Sequence, residues 1–179
     1  MKYLLLFLLV VVCVAGTNRL PFLWTTLRAL LAPRRKEGRL PFRVRLLDCD
    51  LYRHLTNAQY LHYLNLGRWD LVMRAGPPGL EGLVAFVRSG LRPVVVEIDI
   101  VFRKELRYGT RFELYTRLVG RERKALFFEQ HFVVDDEIHA RARVKMLVLQ
   151  GGRVVAPDPF LHLVSEPLEE VDGKIIRPS

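Results

Sequence analysis

Hydrophobic and polar positions divide this chain of 179 residues into segments of contrasting pattern. Phe42 to Leu47 is short and apolar, which predicts a strand. From Asn57 to about Arg74, Leu61, Leu64, Arg68 and Leu71 recur at spacings of three and four, which predicts a helix. Apolar side chains cover nearly the whole circumference of that helix, so we expect it to be buried on most sides. A polar turn lies between the two elements, beside the free N–H groups of the helix, where the dipole favours negative charge.

Strand-like patterns dominate the chain after this helix. Gly76-Pro77-Pro78-Gly79 ends the helix. Strands are predicted over 83–88, 94–102, 111–118, 125–134 and 138–149, and Val94, Val96, Ile98, Ile100 and Phe102 are predicted to share one face. Asp135-Asp136-Glu137 joins the last two strands as a hairpin, and Gly151-Gly152 starts another turn. One early helix followed by antiparallel strands predicts an α+β fold, with a sheet wrapped around a central helix.

The N-terminal region has a different character. An apolar run over 3–15 is short for a membrane-spanning helix and about right for the core of a signal peptide. A second, aromatic and amphipathic segment over 20–31 follows almost at once and ends in Arg34-Arg35-Lys36. This order favours a membrane anchor with an interfacial helix and a domain facing the cytoplasm. A cleaved signal peptide, with a secreted or lumenal domain, is the alternative.

Three regions follow from these patterns. Residues 1–36 form an N-terminal membrane segment with a basic, amphipathic end. Residues 37–156 form the folded domain, which is long enough for one core. Residues 157–179, with four prolines and mixed charge, form a tail that we expect to lie loosely on the surface.

The charge is concentrated at one end of the chain. The net charge is +9, and residues 1–45 hold nine basic side chains against one acidic side chain, which leaves the remainder near neutral. This distribution favours an anionic membrane surface as a partner over a nucleic acid. Cys13 and Cys49 form neither a disulfide framework nor a zinc-binding spacing. The sequence also lacks a glycine-rich phosphate loop and a serine nucleophile elbow, and we expect no metal or organic cofactor.

The polar turn opens an ordered motif, Asp-x-Asp-(x)3-His-x-x-Asn-Ala-x-Tyr-(x)6-Gly-Arg, which runs from Asp48 to Arg68. A later Phe-Arg-Lys-x-Leu segment begins at Phe102. Together they resemble the signature of hotdog-fold acyl-CoA thioesterases of the 4-hydroxybenzoyl-CoA thioesterase class. Within that class, the sequence is most similar to proteins related to thioesterase superfamily member six. The resemblance covers about residues 40–150 and implies a hotdog fold with its site at a dimer interface.

The resemblance also assigns roles to residues of the motif. Asp50 matches the second aspartate, which implies the catalytic carboxylate, acting as general base or nucleophile. His54 is a second catalytic candidate, expected to orient Asp50 or the water. Asn57 and Tyr60 are candidates for substrate binding, and Asn57 is also expected to cap the helix, a position that Thr56 could take as well.

The predicted function is hydrolysis of a fatty or aromatic acyl-CoA thioester, or of its acyl-carrier-protein counterpart, by a homodimer or a dimer of dimers. The motif departs from the family pattern at Tyr52, Thr56 and Asn65. Many relatives have an acid at the position of Asn65, and an amide cannot act as a base. These departures favour an alternative, a non-catalytic acyl-CoA or lipid-binding hotdog protein. A second alternative is a basic scaffold on a membrane surface that binds no acyl-CoA.

Overall fold

The computed structural model describes residues 19–31, 37–75 and 80–163. The predicted apolar segment over 3–15, the basic cluster over 34–36 and most of the predicted tail lie outside these residues. The helices are α1 (Arg19–Leu31), α2 (Asn57–Ala75), α3 (Leu80–Ser89) and α4 (Asp158–Leu163), with a 3-10 turn at Leu46–Asp48. The strands are β1 (Glu37–Arg43), β2 (Arg92–Phe102), β3 (Arg111–Arg121), β4 (Ala125–Val134), β5 (Glu137–Gln150) and β6 (Arg153–Val155).

The strands form one antiparallel sheet in the order β1-β3-β4-β5-β2, with β6 paired to the end of β5. The predicted hairpin between β4 and β5 is confirmed, with Val134 opposite Glu137. Asp135 and Asp136 adopt φ values of 46° and 64°, as a type I′ turn requires. The turn at Gly151-Gly152 is confirmed in the same way, since both glycines have positive φ.

Helix α2 is the predicted central helix, and the sheet curls around it. Tyr63, Leu64 and Leu66 are fully buried and pack in one core cluster with Leu114 and Phe132 of the sheet. A second cluster lies further along the helix, where Leu71 packs with residues of β4, β5 and α4. The α+β hotdog architecture expected from the sequence is therefore confirmed, and the helix is buried because the sheet covers it.

The side of α2 from which Trp69 projects is covered by two other helices. The Trp69 ring lies 4.7 Å from the ring of Phe22 in α1, and its Nε1 donates a hydrogen bond of 2.7 Å to Thr26 Oγ1. The same ring lies 6.0 Å from Phe86 of α3. The amphipathic helix predicted over 20–31 therefore exists and packs on the folded domain. Within the described ranges, no helix is both long enough and apolar enough to span a membrane.

Three sequence-based expectations about the strands are wrong. The region over 83–88 belongs to helix α3, because a short apolar run cannot be told from a buried helix by periodicity alone. The strand predicted over 42–47 ends at Arg43, and a 3-10 turn follows it. In β2 a bulge between Val95 and Glu97 breaks the alternation, so Val96 does not share a face with Ile98.

The tail is also more ordered at its start than expected. Helix α4 begins at Asp158, and its Phe160 and Leu161 are buried in the second core cluster. The prediction of a loose surface tail from Pro157 is therefore wrong for this turn, because two apolar side chains fill the end of the core. The rest of the tail lies outside the described residues.

The central helix and the sheet approach most closely at Gly67. A Cβ atom added there would lie 2.5 Å from Thr116 Oγ1, 2.7 Å from Leu114 Cδ2 and 2.8 Å from Gln130 Nε2. These distances are too short for any side chain, and the neighbouring groups are themselves buried. Gly67 is therefore needed for the helix to lie this close to β3 and β4.

Replacing Gly67 with alanine should destabilise the fold. Overpacking costs about 1–3 kcal/mol, and the higher helix propensity of alanine offsets about 1 kcal/mol of it. Because all three close neighbours are buried, the cost lies in the upper part of that range, and we expect the free energy of unfolding, measured in urea by circular dichroism, to fall by about 1–2 kcal/mol. Asn65→Ala, on the exposed side of the same helix, is the control and should leave it unchanged or higher. A Gly67→Ala variant as stable as the wild type would contradict the close approach.

Candidate active site

Asp50 organises a tight turn just before the central helix. Its Oδ1 accepts backbone hydrogen bonds of 2.9 Å from Tyr52 and from His54, and its own N–H donates to the His54 carbonyl at 2.9 Å. Arg53 lies in the left-handed region with a φ of 61°, which costs a non-glycine residue about 1–2 kcal/mol. Both N–H groups bond to Oδ1, so the turn does not require Oδ2 of this exposed side chain. The turn therefore fixes the carboxylate while leaving one oxygen for chemistry.

A second loop, between β2 and β3, holds this turn in place. The N–H of Leu55 donates to the Leu106 carbonyl at 2.8 Å, and the N–H of Tyr108 donates to the Arg53 carbonyl at 2.9 Å. His54 and Arg107 form an isolated β-bridge between the same segments. These backbone bonds join two loops that are far apart in sequence, so the position of Asp50 depends on both.

The His54 side chain points to Glu105. Its Nε2 lies 3.0 Å from Glu105 Oε2, and the other oxygen of Glu105 pairs with Arg107. His54 contacts Asp50 through its backbone N–H, whereas its imidazole contacts a different carboxylate. The catalytic role of the His54 side chain stays a prediction. Glu105 is not among the site residues predicted from the sequence, although it lies within the Phe-Arg-Lys-x-Leu segment, 51 positions after His54. Only the fold brings the two together.

Asp48 has a structural environment quite unlike that of Asp50. It is buried, and its Oδ2 accepts hydrogen bonds from the Tyr63 hydroxyl at 2.8 Å and from the Arg45 N–H at 3.0 Å. The Asp48 carbonyl also accepts from the N–H of Thr56 at 3.0 Å. Burial, and secondarily the bond to Asp48, raises the pKa of Tyr63, so its hydroxyl stays protonated and donates. Asp48 therefore ties the turn to the side of α2.

Asn57 and Tyr60 lie in the first turn of α2. Asn57 is exposed and is the first helical residue, while the Thr56 carbonyl accepts the N–H of Tyr60, so Thr56 rather than Asn57 occupies the capping position. Tyr60 is buried against Phe102 and Phe132, with ring centroids 4.9 Å away in both cases. Burial raises the pKa of Tyr60 to about 12. The roles of both residues in substrate binding stay predictions.

The polar residues further along α2 are divided between surface and core. Asn65 is exposed, two turns beyond the start of the helix. Arg68, the last residue of the motif, is buried and donates to Gln130 Oε1 at 2.7 Å. Burial lowers the pKa of Arg68 to about 10, which leaves it charged at neutral pH. Asp70 forms a salt bridge with Arg74, and both side chains are buried.

Other kinds of site find little support in the described part of the chain. No group of three or more His, Cys, Asp or Glu side chains there could hold a metal ion. The Cys49 thiol donates to the Arg45 carbonyl at 3.3 Å, and burial raises its pKa, which disfavours the thiolate. A shallow cavity of about 200 Å³ lies on the outer face of the sheet, and none of the predicted site residues lines it.

The comparisons with known proteins agree with the fold. A model of the thioesterase-like superfamily matches residues 44–164. The chain belongs to this superfamily. It is 33% identical over 113 residues to the zebrafish (Danio rerio) protein THEM6, which covers 62% of this chain and 53% of that protein. The chain spans about half the length of the curated relatives it matches.

Solved structures of thioesterases are similar as well. A thioesterase from Thermus thermophilus, solved with coenzyme A and Zn, is 25% identical with a TM-score of 0.59, covering 72% of this chain and 98% of its own. The 4-hydroxybenzoyl-CoA thioesterase from Pseudomonas sp. strain CBS-3 is 17% identical with a TM-score of 0.62, covering 72% of this chain and 99% of its own. Membership of the thioesterase-like superfamily confirms the resemblance drawn from the motif.

Removing the Tyr63 hydroxyl tests the anchoring of the turn. Tyr63→Phe leaves the buried Asp48 carboxylate without one of its donors, and we expect the free energy of unfolding to fall by about 1–3 kcal/mol. Tyr52→Phe removes a hydroxyl from an exposed side chain and is the matched control. Equal stability of the two variants in urea would show that the Asp48–Tyr63 bond does not hold the turn.

Proposed function

We propose that this protein hydrolyses acyl-CoA thioesters, with Asp50 as the general base or nucleophile. The observation that carries the proposal is an exposed carboxylate, fixed by two backbone N–H groups in the turn that precedes the central helix, in a member of the thioesterase-like superfamily. A carboxylate in this position can accept a proton from water or attack the thioester carbonyl itself.

The start of α2 would supply hydrogen-bond donors for the carbonyl oxygen of the thioester. The first N–H groups of a helix have no acceptor within the helix, and the dipole places partial positive charge there. Asn57 and Ala58 occupy these positions, and Asn57 follows His54, the last residue of the turn that holds Asp50, by three residues. A thioester carbonyl lying against them would develop its oxyanion where charge is stabilised. Base and oxyanion donors would then lie on the two sides of one substrate carbonyl.

His54 and Glu105 would position the attacking water. With Nε2 engaged by Glu105, the imidazole has its orientation fixed, and Nδ1 is the nitrogen that could contact water or substrate. The pairing of Glu105 with Arg107 fixes the carboxylate in turn. In this arrangement Asp50 performs the chemistry, while His54 contributes through orientation.

The free edge of β2 supports a homodimer, or a dimer of dimers. This edge strand is 11 residues long, and its apolar side chains at 94, 96, 101 and 102 are exposed. The opposite edge, β1, is only seven residues long and carries Pro41 and charged residues, as protected edges do. Leu47, Leu51 and Tyr52 near Asp50 are also largely exposed. Pairing of β2 with its counterpart in a second subunit would cover apolar side chains next to the site.

The apolar surroundings favour a fatty or aromatic acyl group. Tyr60, Phe102 and Phe132 form an aromatic group between the central helix and the sheet edge. The exposed arginine at 103 is available for the phosphates of coenzyme A. A thioesterase 25% identical to this chain was solved with coenzyme A, which favours coenzyme A over a carrier protein as the thiol partner.

Asp50→Asn tests the catalytic assignment. The amide keeps an oxygen for the turn but can neither accept a proton nor attack, so we expect kcat to fall by about 100-fold or more. The measurement is release of free thiol from a panel of fatty and aromatic acyl-CoAs by the full chain. Glu81→Gln, at an exposed acid on α3, is the matched acid-to-amide control and should retain wild-type turnover. Unchanged turnover in Asp50→Asn would exclude Asp50 as the catalytic carboxylate.

A non-catalytic acyl-CoA or lipid-binding protein is the second candidate. Two observations favour it: one oxygen of Asp50 serves the turn, and the exposed helix residue at 65 is an amide. This candidate predicts binding of acyl-CoA without thiol release, with an affinity that Asp50→Asn leaves intact. Isothermal titration beside the thiol assay separates the two functions.

The role of Glu105 gives a further prediction. If Glu105 acts by orienting His54, Glu105→Gln should lower kcat by about 10-fold, a smaller effect than the loss of a group that itself transfers the proton. The double variant Glu105→Gln/His54→Ala should then be no slower than His54→Ala alone, because residues acting as a unit are not additive. Glu137→Gln, an exposed acid paired with Lys104, is the matched control. Additive losses would show that Glu105 and His54 act independently.

Dimerisation through β2 is tested by Val96→Lys. Val96 is 51% exposed in the subunit, so a lysine there is compatible with the fold and places like charges together across a β2–β2 interface. We expect analytical ultracentrifugation to show a dimer for the wild type and a monomer for the variant. Val154→Lys, on the β5–β6 hairpin, is the control and should remain dimeric. A monomeric wild type, or a dimeric Val96→Lys variant, would contradict this interface.

A further inference from the structure

The outward face of helix α1 is apolar and has no partner among the described residues. Leu23, Trp24, Leu27 and Leu31 are between 51% and 80% exposed. Three of them repeat at a spacing of four residues, so they form one stripe along the helix, with Trp24 beside it. We call these four residues the α1 outer face. Scattered apolar side chains on a surface are ordinary, but a continuous stripe on one helix indicates a contact surface.

The other side of α1 is firmly held by the domain. Phe22 and Thr26 contact Trp69 of the central helix, and Ala29 is buried. Thr25 is buried too, and its hydroxyl donates to the Pro21 carbonyl at 2.7 Å. Because this side of α1 is already packed against the domain, the helix cannot rotate to bury its outer face. Something other than the described part of the chain must cover it.

The charge around α1 indicates which partner fits. The helix contains Arg28 and no acidic residue, and the sequence continues with Arg34-Arg35-Lys36. Over residues 1–45 nine basic side chains stand against one acidic side chain. A second copy of the chain docked on the same face would bring two such basic regions together. An anionic surface would attract them instead.

The residue types of the outer face match a lipid surface. Leucines with a tryptophan on one side of a helix, and basic residues beside them, are the composition of helices that lie in a membrane interface. The run over 3–15, thirteen residues without a charged side chain, precedes α1 in the sequence. We propose that the α1 outer face docks the domain on a membrane that contains anionic lipids. This inference does not depend on the catalytic proposal.

The two tryptophans of the chain provide a direct test. Trp24 belongs to the outer face, whereas Trp69 lies beneath α1 against Phe22. In the Trp69→Phe variant of the 179-residue chain, Trp24 is the only tryptophan reporter, and in Trp24→Phe it is Trp69. Each protein, with folding checked by circular dichroism, is mixed with vesicles of phosphatidylcholine alone or of phosphatidylcholine with phosphatidylserine. Tryptophan emission and co-sedimentation are recorded together.

We expect Trp24 emission to shift to shorter wavelength with the phosphatidylserine vesicles, and Trp69 emission to stay unchanged. Co-sedimentation without a shift of Trp24 would overturn the proposal, because binding would then use another part of the chain. Absence of binding would overturn it as well. A shift on raising protein concentration without vesicles would overturn it in favour of a second copy as the partner. Equal binding to phosphatidylcholine alone would overturn the requirement for anionic lipid.

A charge reversal tests the electrostatic part separately. Arg28→Glu should weaken binding to the phosphatidylserine vesicles about fivefold or more, the effect expected of one basic residue near a charged membrane surface. Arg153→Glu, an exposed arginine on the β5–β6 hairpin, makes the same change in net charge and should leave binding unchanged. Equal weakening by both variants would show that net charge, rather than the position of Arg28, governs the association.

Discussion

The hydrogen bond between the Tyr63 hydroxyl and the buried carboxylate of Asp48 is the constraint on which the site depends. A buried carboxylate is costly unless donors surround it, and here donors come from both the central helix and the chain that enters the turn. The bond therefore ties the chain after β1 to the side of α2. Asp50, two residues later, is then held in the turn before the helix with its side chain exposed. The two aspartates of the motif have different tasks, one in the fold and one in the proposed chemistry.

The remaining architecture makes this anchoring possible. Gly67 lets the central helix lie directly on β3 and β4. Tyr63, one turn earlier on the same helix, is therefore buried in the core. The loop after β2 bonds to the turn through backbone groups and brings Glu105 to His54. On another side of α2, Trp69 holds α1 in place and leaves an apolar face outward. The same helix thus supports the core, the candidate site and the proposed membrane contact.

The sequence predicts those features that depend on local pattern. Periodicity, turn chemistry and residue order are properties of short segments. The sequence therefore predicts the central helix, the hairpin at Asp135-Asp136 and the family motif. Helix α3 is mistaken for a strand because its apolar run is too short for its period to decide. The bulge in β2 is equally invisible, since it arises from pairing with β5.

The contacts that complete the site join residues far apart in the chain, so they could not be predicted from the sequence. Glu105 meets His54 only because the loop after β2 pairs with the turn before α2. An Asp-x-Asp pattern does not show which aspartate is buried and which is exposed, so the sequence alone could not distinguish the role of Asp48 from that of Asp50. That difference depends on where β1 ends, and β1 ends earlier than the apolar run suggests.

The division of tasks between the two aspartates is tested most directly by equilibrium urea unfolding of Asp48→Asn and Asp50→Asn. We predict that Asp48→Asn lowers the free energy of unfolding by about 1–3 kcal/mol, because the amide group of asparagine would face the Arg45 N–H donor in a buried site. We predict a change within about 0.5 kcal/mol for Asp50→Asn, whose side chain is exposed. If Asp50→Asn were as destabilising as Asp48→Asn, the turn would need the negative charge or both oxygens of Asp50, no oxygen would be left for chemistry, and the central claim would be wrong.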